Sequence, residues 1–168
     1  MTNLARMTAG AVLSALTLVL ISACATTLAP SYDKALVDGL LSTSSDMMEF
    51  FASTSSGTAK ESFAKREATY NNLIGRVDAL VIQANARPIP KNSVTDKVND
   101  ALSKRGVRIL EGDDAPSATA LQGISKTITK MRDTDKKQGI TSAEAGLFKG
   151  QAVIYLDQAI TYESYLER

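Results

Sequence analysis

The spacing of the apolar residues constrains the fold of this chain most strongly. From Ser31 onward, apolar residues recur at intervals of three and four, without the sustained apolar and polar alternation of a half-buried strand. Intervals of three and four place one face of an α-helix against a core. The pattern therefore predicts an all-α fold, an up-and-down bundle of four to five helices.

Breaks and caps divide the first half of this region into two predicted helices. The first runs from about Ser31 to Phe51 and ends at the polar run 53–57. The second begins at Thr58 and Glu61, which have the spacing of a capping box, and ends before a pair of prolines. The residues predicted to face the core are Tyr32, Leu36, Leu40, Met47, Phe50 and Phe51 in the first helix, and Phe63, Tyr70, Leu73, Ile74, Val77, Leu80, Val81 and Ala84 in the second.

Three further helices are predicted over 93–105, 116–138 and 141–168. Pro116 suits a first helical position, Gly139 suits the residue after a helix, and Thr141 with Glu144 forms a second capping box. Val94, Val98, Ala101 and Leu102 are predicted to face inward in the third helix, and Leu121, Ile124, Ile128 and Met131 in the fourth.

The last helix is apolar around most of its circumference, so we expect it to lie at the centre of the bundle. Gly146 and Gly150 have the spacing of small-residue packing motifs, which predicts close backbone contact within the bundle, with a self-association seam as the alternative. The tyrosines are expected in the core, or alternatively along a ligand groove. The predicted inner residues are Phe148, Ala152, Tyr155, Ala159, Tyr162 and Leu166, with Leu147, Ile154 and Tyr165 beside them and Val153 and Ile160 beyond.

Residues suited to catalysis or metal binding are few. The chain has no histidine, the commonest general base and metal ligand, and only one cysteine. No phosphate-binding or dinucleotide-binding glycine motif is present. We expect structural roles for the paired carboxylates, and therefore no enzyme activity, no catalytic residue, no metal site and no cofactor. The carboxylate pairs are Asp113 with Asp114, Asp133 with Asp135, and Asp157 with Glu163.

The charge balance argues against nucleic acid as a partner. Arg6 is the only charged residue before Cys24, so the chain beyond it carries 18 basic and 18 acidic residues. A nucleic-acid-binding domain usually shows a basic excess. Lys126, Lys130 and Lys137 share one side of the fourth predicted helix. We expect that side to be a solvated face, with contact to anionic lipid headgroups as the alternative.

The N-terminal segment has the layout of a secretory signal, with Arg6 before an apolar stretch that ends in small residues. The run Leu20-Ile21-Ser22-Ala23-Cys24 resembles the lipobox of bacterial lipoproteins, an aliphatic residue followed by two small residues and a cysteine. This resemblance implies cleavage before Cys24, a diacylglyceryl thioether on its sulfur, and a fatty acyl chain such as palmitate on the new amino group. A membrane-spanning helix is the alternative, but the apolar run is shorter than the usual span.

The resemblance also implies a location. Ala25 follows the cysteine in place of the aspartate that retains such proteins at the inner membrane, so the implied site is the outer membrane, periplasmic face. The expected organisation is a signal peptide at 1–23, a lipidated cysteine with a short tether at 24–30, and one helical domain at 31–168.

The expected function follows from a lipid-anchored bundle without catalytic residues. We expect a noncatalytic envelope scaffold or accessory subunit that holds a partner protein near the membrane. The alternative is a periplasmic module that binds a small ligand between its helices. Neither the ligand-binding residues nor the identity of the partner follows from the sequence.

Overall fold

The structure, a computed structural model, describes residues 29–88 and 115–167. The predicted signal peptide, Cys24, the predicted third helix and Asp113 with Asp114 lie outside these residues. The described part is all-α and contains no strand, which confirms the predicted fold class. Its elements are α1 (Lys34–Thr54), a 3-10 helix (Lys60–Lys65), α2 (Glu67–Asn85), α3 (Pro116–Gln138) and α4 (Ser142–Leu166).

The four α-helices form a bundle in which each helix contacts two neighbours. α1 packs beside α2, α2 beside α3, α3 beside α4, and α4 returns to α1. Within the described residues, the backbones of the two diagonal helix pairs, α1 with α3 and α2 with α4, do not come close to each other. The prediction that the last helix is central is therefore wrong, because α4 occupies one corner of the bundle like the other three helices.

Side chains from all four helices fill the core, and most of the predicted inner residues are buried. Phe50 and Tyr70 pack edge to face with ring centroids 4.7 Å apart, and Phe63 stacks on Tyr70 at 6.2 Å. Every described buried side-chain nitrogen and oxygen has a hydrogen-bond partner. The core is therefore filled mainly by apolar side chains, and its buried polar side-chain atoms are hydrogen-bonded, as a stable, closely packed fold requires.

The helix ends are close to the predicted boundaries except at two starts and at the end of α1, which continues to Thr54 past the predicted end at Phe51. Asp33 caps α1 by accepting a hydrogen bond from the Leu36 backbone nitrogen at 3.1 Å, so this helix begins three residues later than predicted. Thr141 and Glu144 form the predicted capping box of α4. The capping box predicted at Thr58 is wrong: the chain there enters the 3-10 helix, whose first turn has no side-chain cap.

Two glycines allow the two loops at one end of the bundle to touch. Thr58 and Ile140 form an isolated bridge, with backbone N–H···O distances of 2.7 and 3.2 Å. Gly57 and Gly139 precede these residues and have φ values of 92° and 80°, which residues other than glycine rarely adopt. A Cβ at Gly139 would lie 2.5 Å from the Thr58 carbonyl oxygen, so only glycine fits this contact.

The inner face of α4 differs from the predicted one. Its buried residues are Ala145, Ala152, Leu156, Ala159 and Glu163, while Tyr155 and Tyr162 are half-buried at the edge. Gly146 and Gly150 are exposed, and no atom lies within 4 Å of a Cβ built on either, so the predicted close contact within the bundle is wrong. The last inner position of this face is filled by the carboxylate of Glu163 and not by an aromatic ring.

A different glycine makes the close contact with α4. A Cβ on Gly123 of α3 would lie 2.7 Å from the Tyr155 ring, whereas Gly150 faces open space. We expect Gly123→Ala to lower the free energy of unfolding by about 1 kcal/mol because the ring must move. Gly150→Ala should raise it by about 0.5–1 kcal/mol through helix propensity. Urea unfolding followed by circular dichroism measures both changes.

The background of Tyr155→Ala provides the control for this pair. Without the ring, the three closest contacts of the methyl group of Gly123→Ala are removed, and the substitution should become stabilising, like Gly150→Ala. Equal effects of Gly123→Ala in the two backgrounds would contradict the packing of Tyr155 on Gly123.

Candidate docking site

A buried ion pair lies at the end of the bundle where α1 begins. Arg87, just after α2, donates two hydrogen bonds to the carboxylate of Glu163 on α4, at 2.8 and 2.5 Å. Its guanidinium also donates to the Ser31 carbonyl and the Ser117 hydroxyl, both at 3.3 Å. We call these four residues the Glu163 cluster. It joins the chain segments that enter or leave all four helices at this end.

A second buried carboxylate lies at the opposite end. Asp135 of α3 is fully buried and accepts hydrogen bonds from Thr58 at 2.5 Å, from Arg66 at 2.7 and 2.8 Å, and from Tyr70 at 3.2 Å. We call these four residues the Asp135 cluster. Burial alone would raise the pKa of Asp135, but the hydrogen bonds from Arg66, Thr58 and Tyr70 outweigh it and lower the pKa.

These clusters contain one carboxylate from each of two pairs that the sequence analysis considered for acid and base catalysis. Asp135 and Glu163 are paired with arginines in the interior, whereas their sequence neighbours Asp133 and Asp157 are exposed. Neither of the two predicted pairs that the structure describes brings its two carboxylates into one cleft. In the described residues, no three acidic, histidine or cysteine side chains are grouped so that they could hold a metal ion.

Sequence reasoning missed both clusters, although a signal for them exists. Asp135 follows Met131 and Ile128 at the spacing of the buried stripe of α3. Glu163 continues the buried stripe of α4 in the same way, four residues after Ala159. A carboxylate in phase with an apolar stripe indicates a buried partner of opposite charge, because an unpaired buried charge is costly.

The side of α4 that points away from the core carries several large apolar side chains, and exposed polar residues separate the last of them from the others. Leu147 and Tyr165 are 74% and 72% exposed, and Ile154 and Val153 are 53% and 42% exposed. Gly150 lies among Leu147, Val153 and Ile154 on the helix surface and is exposed. We call these five residues the outer face of α4. Large apolar side chains grouped on a surface usually mark a contact site.

A groove of about 530 Å³ runs between α3 and α4 and shares Leu147 with this outer face. Phe148 and Tyr155 are half-buried in its α4 wall, and Lys126 and Lys130 stand exposed on its α3 wall. We call this feature the α3–α4 groove. Its apolar side chains and its two lysines lie on opposite sides, which makes it suited to an amphipathic anionic partner.

One acidic residue, Glu144, lies in the same groove. Its carboxylate accepts hydrogen bonds at 2.8 Å from the Thr141 backbone nitrogen and from the Thr141 hydroxyl. The hydrogen bond from the Thr141 backbone contributes most to lowering the pKa of Glu144, and the hydrogen bond from the Thr141 hydroxyl lowers it further. The carboxylate therefore stays ionised and is held against the start of its own helix, and the two lysines leave the groove with an excess of positive charge.

The remaining predicted surface features lie as follows. Lys126, Lys130 and Lys137 are exposed, as expected for a solvated face of α3. Among the described helices, none is both long enough and apolar enough to cross a bilayer. The chain has no match among protein-family models, curated proteins or solved structures. The geometry of the bundle and the sequence of the N-terminal segment are therefore the basis for assigning a function.

Proposed function

We propose that this protein is an outer-membrane-anchored periplasmic lipoprotein that acts as a noncatalytic scaffold and holds a partner protein near the membrane. The observation that carries the proposal is the outer face of α4, whose large apolar side chains are left exposed by the described residues. Neighbouring apolar side chains exposed on a surface, such as Leu147, Val153 and Ile154, often mark a contact site for another protein. The missing cover is then supplied by another molecule.

Two further observations support an anchored scaffold. Pro30 is already buried in the bundle, so only residues 25–29 would separate a lipid on Cys24 from the folded body. A flexible tether of that length reaches about 10–15 Å. The carboxylates with the greatest burial, Asp135 and Glu163, are engaged by arginines, which leaves them unsuited to acid or base catalysis.

A small-ligand-binding module is the second candidate, and the volume of the α3–α4 groove favours it. About 530 Å³ lies within the range of small-molecule sites. Such sites enclose most of the ligand surface, however, and this groove is open along its length with Leu147 largely exposed at its rim. A protein partner, which needs a surface and not an enclosure, fits this geometry better.

The scaffold role predicts that α4 contacts a partner in the membrane. A photo-crosslinking amino acid at Ile154 of the intact protein should give a discrete heterologous adduct in cells. The same amino acid at Gln138, exposed at the far end of α3, should give far less of that adduct. Gel electrophoresis and mass spectrometry of the adducts measure the difference.

The anchor provides the control. With Cys24→Ser, the chain should no longer fractionate with the outer membrane, and the adduct at Ile154 should fall with it. A Cys24→Ser chain that is processed and still fractionates like the parent would contradict lipid anchoring. Absence of any heterologous adduct from every exposed position of α3 and α4 would contradict the scaffold role.

A further inference from the structure

We propose that the α3–α4 groove receives an amphipathic helix of the partner protein, with acidic residues along the edge of the partner's apolar stripe. This inference rests on the proposed scaffold function and identifies the surface that performs it. Three properties of the groove support it: its length, its openness to solvent, and its distribution of charge.

The dimensions of the groove match a short helix. Its walls are formed by Gly123 to Lys130 on α3 and by Glu144 to Tyr155 on α4. At 1.5 Å per residue these segments are about 11 and 17 Å long, enough for two to three turns of a third helix. Packing a helix into the groove between two others is a recurrent mode of protein recognition, read by apolar side chains three and four residues apart.

The apolar wall provides anchoring positions for such a helix. Leu147 is exposed at the rim, Phe148 and Tyr155 are half-buried behind it, and all three point into the same groove. Tyr155 is held in place by its contact with Gly123. A partner helix would cover Leu147 and the adjoining part of the outer face of α4, and so remove apolar surface from water.

The opposite wall selects the charge of the partner. Lys126 and Lys130 are four residues apart on one side of α3, and neither pairs with a carboxylate of the described residues. Glu144, the acidic residue of the groove, is engaged by Thr141. The chain beyond Cys24 carries equal numbers of basic and acidic residues, so a preference for acidic partners would arise from this groove and not from the overall charge.

Binding of defined helical peptides to the intact lipidated protein in neutral detergent tests the proposal. One peptide of about 15 residues has leucines on one face and glutamates at its edges, and a second has lysines in place of the glutamates. By fluorescence anisotropy at low salt, the acidic peptide should bind at least about tenfold more tightly than the basic one. Equal binding, or a preference for the basic peptide, would overturn the proposal.

Charge reversal in the groove provides the matched comparison. Lys126→Glu with Lys130→Glu should weaken the acidic peptide by about tenfold or more and strengthen the basic one. Lys137→Glu with Lys149→Glu changes the total charge equally on exposed positions outside the groove, and should leave the order of the two peptides unchanged. Leu147→Asp should weaken both peptides. If both double variants act alike, the groove does not select the charge.

Three further measurements test alternatives to a partner helix in the groove. Dodecanoate that binds at the same concentrations and displaces the acidic peptide would identify the groove as a lipid site and overturn the helix proposal. Sedimentation that shows a dimer abolished by Leu147→Asp would assign the groove to a second copy of the chain. Crosslinks to another protein from Tyr165, but none from Leu147 or Gln151, would overturn this inference and leave the scaffold function standing.

Discussion

Replacing Arg87 with methionine is expected to lower the free energy of unfolding by about 3–5 kcal/mol, the usual cost of leaving one member of a buried ion pair unpaired. Glu163 is 1% exposed and receives two of its hydrogen bonds from Arg87. A domain of this size is stable by only about 5–15 kcal/mol, so the loss is a large fraction of the total. Urea unfolding of a soluble chain that lacks the lipid measures it.

Two companion variants make this result specific. Arg87→Met combined with Glu163→Leu removes both charges and should recover most of the loss, because apolar residues can replace a buried ion pair. Lys34→Ala removes an exposed ion pair with Asp38 and should leave the urea midpoint close to that of the parent. If Arg87→Met unfolds at the same urea concentration as the parent, the Glu163 cluster does not stabilise the fold.

Asp135→Asn is expected to have the second-largest effect, about 3 kcal/mol at neutral pH, because Arg66 loses its charged partner. The pKa of Asp135 is lowered in the folded state from an ordinary value of 3.8. A carboxylate with a lowered pKa stabilises the fold above its unfolded pKa, and this contribution is lost as the pH falls through the folded pKa. The difference between parent and variant should therefore shrink below about pH 4.

Urea unfolding at a series of pH values between 3 and 7 measures this change. Thr58→Val, which removes one of the hydrogen bonds that lower the pKa of Asp135 and leaves its charge paired, should cost about 1 kcal/mol and keep a weaker dependence on pH in the same direction. A constant difference between parent and Asp135→Asn across this range would show that the ionisation of Asp135 is not linked to folding.

The helices and most core positions of α1, α2 and α3 could be predicted from the sequence. Residues such as Leu36, Tyr70 and Ile128 recur at helical spacing, and the residues between them are polar enough to define one inner side. α4 has no such contrast, since its own apolar residues are spread around most of its circumference. Its orientation is decided by partners on other helices, which a periodicity within one helix does not reveal.

The partners within the ion-pair clusters could not be identified from the sequence for a related reason, although the phase of the carboxylates in their helices indicates their burial. Glu163 and Arg87 are 76 residues apart in the chain, and Asp135 and Thr58 are 77 apart. Local rules treat Thr58 as a helix cap that accepts from a backbone N–H of its own helix. Its hydroxyl instead donates to Asp135 and accepts from the Ile140 backbone nitrogen at 3.0 Å. Local capping was thus displaced by a long-range contact.

The candidate site shows the same division between local and long-range information. The lysines of α3 were predicted to lie on one exposed side, and they do. Their position opposite Phe148 and Tyr155 depends on how α3 and α4 pack, which the sequence did not indicate. The anchor at Cys24 and the scaffold role stay predictions that the experiments above address.

The Glu163 cluster has a consequence for the axial register of the helices. Ser117 on α3 and Glu163 on α4 both meet the guanidinium of Arg87, which sets the height of one helix against the other. A slip of α4 by one turn, about 5.4 Å, would leave the buried charges apart. It would also move Leu147 out of line with Lys126, so Arg87 contributes to the geometry of the α3–α4 groove although it does not line the groove.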